Sequence, residues 1–150
     1  AVLWFAREVF PLIREKLSVN FYIVGSKVTE EIKALEQPGN GIVVKGFVSE
    51  EELSELYRTC RLVVVPLRYG AGVKGKVVEP IVTTSVGSEG IPGVEDVLLV
   101  EDQPEAFADT VVKTYSDTEK LRELAEKTQS YIRDHFSIDA AWEVIREDFE

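Results

Sequence analysis

The sequence predicts a doubly wound α/β domain, that is, a Rossmann-like parallel sheet with helices on both faces. Short apolar runs rich in β-branched residues alternate along the chain with amphipathic stretches of helical periodicity. The short runs are apolar throughout, which is typical of strands in a parallel sheet that helices cover on both sides. A length of 150 residues suits one domain of this kind, and we assign residues 1–150 to it.

The first half of the chain supplies three of the expected strands and the helices between them. Residues 2–17 place apolar side chains three and four positions apart, which predicts an amphipathic helix. A short helix is expected over 29–35, and Ser49 with Glu52 three residues later forms a capping box that opens a helix through about Tyr57. Buried strands are predicted at 21–24, 42–44 and 62–65.

The second half adds two strands and ends in helices. Apolar runs predict strands at 81–84 and 97–100. Asp102 is expected to cap a helix that begins at Pro104, and Ser116 with Glu119 has the spacing of a second capping box. Ser137 is expected to cap the last helix.

Composition excludes several functional classes. The net charge of −10 disfavours binding to nucleic acid or to an anionic membrane surface. The single cysteine, Cys60, allows no intramolecular disulfide and favours a cytoplasmic protein. Cys60 and the single histidine, His135, lie far apart in sequence, so we predict no metal site. Trp4 and Trp142 are interpreted as core or interface residues of amphipathic helices.

The segment from Pro66 to Glu79 reverses the negative charge of the chain. It follows a predicted strand, and ligands of parallel sheets bind at the carboxyl ends of strands. Its glycines allow backbone N–H groups to approach an anion, and its cations attract one; these residues are Gly70, Gly72, Gly75, Arg68, Lys74 and Lys76. The alternative is a flexible surface loop with solvated charges.

The order and spacing of the motifs resemble the carboxy-terminal, donor-binding half of the family-4 (group 1) glycosyltransferases, which have the GT-B fold. The resemblance runs through nearly the whole chain, and no single motif is specific alone. The matching segments are Ile23-Val-Gly25, Val44-Lys-Gly-Phe-Val48, Leu62-Val-Val-Val-Pro66, the 68–79 loop and Val82-Thr-Thr-Ser-Val-Gly-Ser-Glu-Gly90.

The resemblance implies a retaining enzyme that moves a sugar from a nucleoside diphosphate sugar to an acceptor, without a metal or another cofactor. It also implies a role in cell-surface polysaccharide biosynthesis, in the cytoplasm or at the inner membrane face. Membrane association would depend on a separate amino-terminal domain that binds the acceptor. The nucleotide sugar and this acceptor are the expected partners.

The resemblance also implies roles for individual residues. Glu79 would hold the ribose hydroxyls, and Lys74 would neutralise the leaving diphosphate. Phe47 and Val48 would border the base, and Gly25 would let the chain pass close to the ligand. The phosphate-facing loop would consist of Arg68, Gly70, Gly72, Val73, Lys74 and Gly75.

Three departures from the family pattern bear on these roles. Ala71 stands where the family often has a glutamate that contacts the donor sugar. Glu79 joins Pro80 directly, so we expect about six residues to be absent between positions 79 and 80. The family's first strand of this domain and its acceptor domain have no counterpart, and we expect the chain alone to be an inactive fragment.

Two other functions are alternatives to this one. A non-catalytic module that binds nucleotide sugars or proteins would keep the fold without the chemistry, and Ala71 is compatible with it. A dinucleotide-dependent oxidoreductase is disfavoured, because no Gly-x-Gly-x-x-Gly follows an early strand with an acidic residue about 20 positions later.

Overall fold

A computed structural model describes residues 1–69, 79–91 and 93–136. The helices are α1 (Val2–Trp4), a π-helical segment (Phe5–Val9), α2 (Phe10–Arg14), α3 (Glu30–Lys33), α4 (Glu50–Thr59), α5 (Ser85–Ser88), α6 (Pro104–Ser116) and α7 (Thr118–Phe136). The strands are β1 (Phe21–Val24), β2 (Ile42–Gly46), β3 (Val63–Val65), β4 (Ile81–Thr83) and β5 (Leu98–Val100). The first three helical segments are continuous, and we call residues 2–14 the amino-terminal helix. The predicted alternation of strands and helices is confirmed.

The strands pair in parallel, as the predicted Rossmann-like α/β class requires. β1 pairs with β2, and β4 lies between β3 and β5. The prediction of a single sheet differs from the structure in one respect, because the described strands form two sheets. The physical reason is that no described strand lies between β1 and β3 to join them.

An aromatic cluster anchors the amino-terminal helix to the rest of the fold. Phe5 packs against Phe21 of β1 with ring centroids 4.7 Å apart, and against Phe107 of α6 at 5.6 Å. Trp4 meets the same Phe107 ring edge-on at 6.0 Å. Phe107 and Val9 are fully buried. The helical periodicity of the first residues therefore predicted a buried face correctly.

The capping box at the start of α4 is confirmed. The Glu52 N–H donates to Ser49 Oγ at 3.2 Å, and the Ser49 N–H donates to Glu52 Oε2 at 3.0 Å. This exchange satisfies backbone donors that a helix start leaves unpaired.

Two other cap predictions are wrong. The N-cap of α6 is Gln103, which makes no side-chain cap bond, and Asp102 contacts a different helix. Before α7 the capping side chain is Asp117, whose Oδ1 accepts from the Lys120 N–H at 3.0 Å. Ser116 cannot serve there because it still belongs to α6. The predicted cap at Ser137 lies outside the described residues, as does Trp142.

Candidate functional site at the carboxyl ends of the strands

The carboxyl ends of the strands in both sheets face the same edge of the domain. Trp4, at the start of the amino-terminal helix, contacts Arg68 just beyond the carboxyl end of β3. The helix runs away from that edge, and β1 then returns toward it. β1 and β3 therefore point the same way, and ligands of open α/β sheets bind at this edge.

Arg68 is held in place at this edge by two contacts. Its guanidinium carbon lies 4.7 Å from the centroid of the Trp4 ring, a cation–π arrangement. Its Nη1 donates to the backbone carbonyl of Asp102 at 3.2 Å. The residue is exposed. Since a guanidinium has five N–H donors, these contacts fix its position and leave donors for a ligand.

Two buried threonines fix the segment that carries Arg68. Thr83 Oγ1 donates to the carbonyl of Val65 at 2.8 Å, and Thr84 Oγ1 donates to the carbonyl of Leu67. Thr83 and Thr84 are 0% and 1% exposed. These two adjacent threonines at the end of β4 therefore hold the chain that leaves β3. The sequence predicts only that they belong to a strand. Two adjacent hydroxyl side chains at the end of a buried apolar run could have indicated that they bind the backbone of a neighbouring segment.

Asp102 links the ends of β3, β4 and β5. Its Oδ1 accepts from the N–H and the Oγ of Ser85, at 2.9 and 3.0 Å, while its carbonyl accepts from Arg68. The carboxylate thus holds the first residue of α5, and the backbone holds Arg68. The sequence predicts instead that Asp102 caps α6, because it lies two residues before that helix, so the contact with Ser85 was not foreseen.

The first sheet contributes Gly25, Phe47 and Val48 to the same edge. The Gly25 N–H donates to the carbonyl of Gly46 at 2.9 Å, so the turns after β1 and β2 are neighbours. Gly46 has a φ of +66°, which favours glycine and turns the chain out of β2. The Phe47 side chain that follows is 80% exposed, whereas Val48 is half-buried.

Glu79 lies at the opposite end of the second sheet. It directly precedes Pro80, whose carbonyl accepts from the Val63 N–H at the start of β3 at 2.9 Å. Burial raises the pKa of the Glu79 carboxyl. Burial, and then the charge of Glu79, raise the pKa of the Cys60 thiol. The structure therefore does not bring Glu79 to Arg68, and its ribose-binding role stays a prediction.

The other predicted loop residues lie outside the described part of the chain. These are Gly70, Gly72, Val73, Lys74 and Gly75, together with Ala71. Within residues 1–69, 79–91 and 93–136, no three His, Cys, Asp or Glu side chains are grouped as ligands for a metal ion. None of the described helices has the length and apolar character needed to cross a membrane.

Comparison with known proteins identifies one family. The family model described as "Glycosyl transferases group 1" matches residues 1–117 of the chain. A protein of Klebsiella pneumoniae named "Uncharacterized 44.6 kDa protein in cps region" is 26% identical over 148 residues. That alignment takes in 90% of this chain and 38% of the relative. The chain therefore spans less than half of the length of this relative.

Proposed function

The chain belongs to the group 1 glycosyltransferases, and we propose that it forms the nucleotide-sugar site of a retaining enzyme. In this proposal the enzyme transfers a sugar from a nucleoside diphosphate sugar to an acceptor bound by another domain. The carboxyl edge of the sheet receives the donor, with the diphosphate near Arg68 and the base near Phe47.

Arg68 is the observation that carries this proposal. Its exposed guanidinium is fixed by Trp4 and by the Asp102 carbonyl, and it offers positive charge in a chain with a net charge of −10. Diphosphate is the leaving group of such a transfer, and a fixed guanidinium can donate two parallel hydrogen bonds to phosphate oxygens. Donors that are held in place before the reaction stabilise the charge that develops on the leaving group.

Phe47 supports the placement of the base. A ring that is 80% exposed next to the glycine turns offers an apolar face that a nucleobase can stack on. Stacking of a base on an aromatic side chain contributes roughly 1–3 kcal/mol in single-stranded nucleic-acid complexes. Gly25 carries no side chain that would block access to this surface, since an added Cβ there meets no atom within 4 Å.

The acceptor we propose is an intermediate of a cell-surface polysaccharide. The support is the name of the Klebsiella pneumoniae relative, which assigns that protein to a cps region. Lys74 keeps its proposed role at the leaving group, and Glu79 holds the ribose where additional residues between positions 79 and 80 return it to the edge that carries Arg68.

Calorimetric titration of the complete protein with UDP, GDP and ADP tests the donor site. The experiment compares a substitution of Arg68 with a control substitution of another arginine. Arg68→Gln is expected to weaken binding by roughly 10- to 100-fold, the equivalent of a charge-assisted hydrogen bond. Arg61→Gln is the matched control, because Arg61 also stacks on an aromatic ring, that of Tyr115 at 4.8 Å, but precedes β3. Equal effects of the two substitutions would contradict the site.

Turnover separates an enzyme from a binding module. We expect the complete protein to release nucleoside diphosphate from the preferred sugar donor when acceptor is present. Proton NMR of the product should show the anomeric configuration of the donor, which defines retention. Binding without release of the diphosphate would favour the non-catalytic module instead.

A further inference from the structure

The backbone of β2 has an outer edge that faces away from β1. The N–H of Phe21 in β1 donates to the carbonyl of Gly41, just before β2. In a parallel sheet, successive residues bond to opposite neighbours, so Ile42 and Val44 direct their backbone groups away from β1. Among the described strands, β1 alone pairs with β2. Ile42 and Val44 therefore form an outer edge of this sheet.

This outer edge has a sequence that favours pairing with another strand. Residues Ile42, Val43 and Val44 are all apolar and β-branched. The edge of such a strand is a template on which another chain can add. A second copy of the chain is the partner that fits, because it carries the same run, and two copies can pair across a two-fold axis. That pairing needs the N–H groups of Ile42 and Val44 to be free.

Two side chains from the connection between α3 and β2 occupy these N–H groups. Glu36 Oε2 accepts from the Val44 N–H at 2.8 Å, a charge-assisted hydrogen bond. Asn40 Oδ1 accepts from the Ile42 N–H at 3.0 Å. The Nδ2 of Asn40 donates in turn to the Leu35 carbonyl at 2.7 Å, which holds this side chain in place. Both outward N–H groups of the strand are thus paired within the chain.

Glu36 also divides the groove that runs along this edge. Toward the amino end of β2 lies an open hollow of about 480 Å³, which Gly39 and Ile42 line. Toward the carboxyl end lies another of about 420 Å³, which Val44 and Gly46 line. Glu36 lines both hollows. An added strand needs a continuous path along the edge, so the Glu36 side chain would have to leave before a strand could pair there.

The end of α3 fixes the position of Glu36. Ile32 and Leu35 pack against the hydrophobic core. The Glu36 N–H donates to the Lys33 carbonyl at 3.2 Å, so Glu36 continues the last turn after the helix. The carboxylate is therefore held beside β2 by a segment that the core already anchors.

Lys45 does not cover the outer edge. A lysine is a common protection of edge strands, and Lys45 is the charged residue of β2. Its Nζ, however, lies 5.9 Å from the centroid of the Tyr22 ring in β1, so the side chain leans over the neighbouring strand. The bond from the Val44 N–H to Glu36 is consequently the contact that closes the edge at this position.

We propose that Glu36 is a guard residue that keeps the chain from pairing with a second copy through β2. While its carboxylate accepts from the Val44 N–H, an added strand lacks that donor and meets a side chain in its path. Without the carboxylate, the Val44 N–H is free, and two copies pair through their β2 strands. This role is independent of the proposed sugar transfer.

Light scattering of the complete protein over a range of concentrations tests the guard. Glu36→Ala should double in mass as its concentration rises, whereas the wild type keeps its mass. Glu36→Gln should behave as the wild type, because the amide oxygen still accepts from the Val44 N–H. Glu126→Ala is the matched control, since it removes one negative charge from an exposed position of α7. Equal association of Glu36→Ala and either of the other two variants would overturn the proposal.

Amide hydrogen exchange shows which surface is used. In the wild type, the Val44 amide should exchange slowly at every protein concentration. In Glu36→Ala it should exchange at least about tenfold faster in dilute solution and slow down as the dimer forms, while the buried Val82 stays protected. A dimer of Glu36→Ala that leaves the Val44 amide unprotected would overturn the proposal. So would fast exchange of this amide in the wild type, a measurement that needs no variant to fold.

Discussion

Gly87→Ala is expected to destabilise the protein by about 1–6 kcal/mol, because the new methyl group collides with a buried hydrogen bond. A Cβ built on Gly87 lies 1.9 Å from Thr83 Oγ1 and 3.2 Å from the Val65 carbonyl oxygen. Those two atoms are the donor and the acceptor of the bond that holds the end of β3. Thr83 is fully buried, so its hydroxyl cannot turn away and find water.

The magnitude follows from three contributions. An extra methyl group in a packed interior costs about 1–3 kcal/mol, and loss of a buried hydrogen bond costs about as much again. Alanine in place of glycine in a helix recovers up to about 1 kcal/mol. Gly87 is a residue of α5, so the recovery applies here. The free-energy cost of the collision exceeds this gain in helix propensity.

Urea denaturation of the wild type and four variants measures the effect: Gly87→Ala, Gly25→Ala, Thr83→Ala and the double variant of Thr83 and Gly87. Gly25→Ala is the matched control, because its Cβ meets no atom within 4 Å, and we expect a change below about 0.5 kcal/mol. In a Thr83→Ala background, the Oγ1 that Gly87→Ala would strike is absent. Gly87→Ala should therefore cost clearly less there than in the wild type. Full additivity of the two substitutions, or a wild-type cost below about 1 kcal/mol, would refute the reasoning.

Three further predictions concern Glu79 and the start of α4. Glu79→Gln should move the pH profile of Cys60 alkylation to lower pH, because the Glu79 charge adds to the burial that raises the thiol pKa. Burial also raises the pKa of the Glu79 carboxyl in the folded protein above its ordinary value of 4.5. The stability of the wild type should therefore fall as the pH rises from 4.5 through the folded-state pKa. Urea midpoints measured across this pH range should show the fall in the wild type and not in Glu79→Gln. Ser49→Ala should lower the free energy of unfolding by about 1 kcal/mol, because the cap of α4 is lost. Ser54 is an exposed residue of the same helix, and Ser54→Ala should leave the stability unchanged. Equal urea midpoints for the two serine variants would contradict the cap assignment.

The strands were predictable because each is a short, mostly apolar run, and such a run can be buried in only a few ways. The capping box was predictable for a similar reason, since Ser49 and Glu52 interact across three residues of the same helix. Contacts between distant segments were not. Asp102 stands two residues before a helix, and only the fold shows that Ser85 is its partner.

The contact of Trp4 with Arg68 was not predictable either, because it also joins distant segments of the chain. The two residues are far apart in sequence, and helical periodicity places Trp4 only on a buried face. The fold brings the amino-terminal helix across the end of β3, where the half-buried Trp4 ring contacts the Arg68 guanidinium. A tryptophan near the start of a helix gives no sign of this in the sequence alone.

The two predictions made for Glu79 depend on each other. Pro80 is fixed at the amino end of β4 by its bond to the Val63 N–H, and Arg68 lies beyond the carboxyl end of the neighbouring strand. At about 3.3 Å per residue, the strand and its flanking residues separate these ends by roughly 15 Å. A carboxylate joined directly to Pro80 cannot span that distance. About six additional residues between 79 and 80 reach roughly 20 Å when extended, enough to return the chain from one edge to the other. Ribose binding by Glu79 at the edge that carries Arg68 therefore requires those residues, and a complete protein without them would need a different ribose ligand.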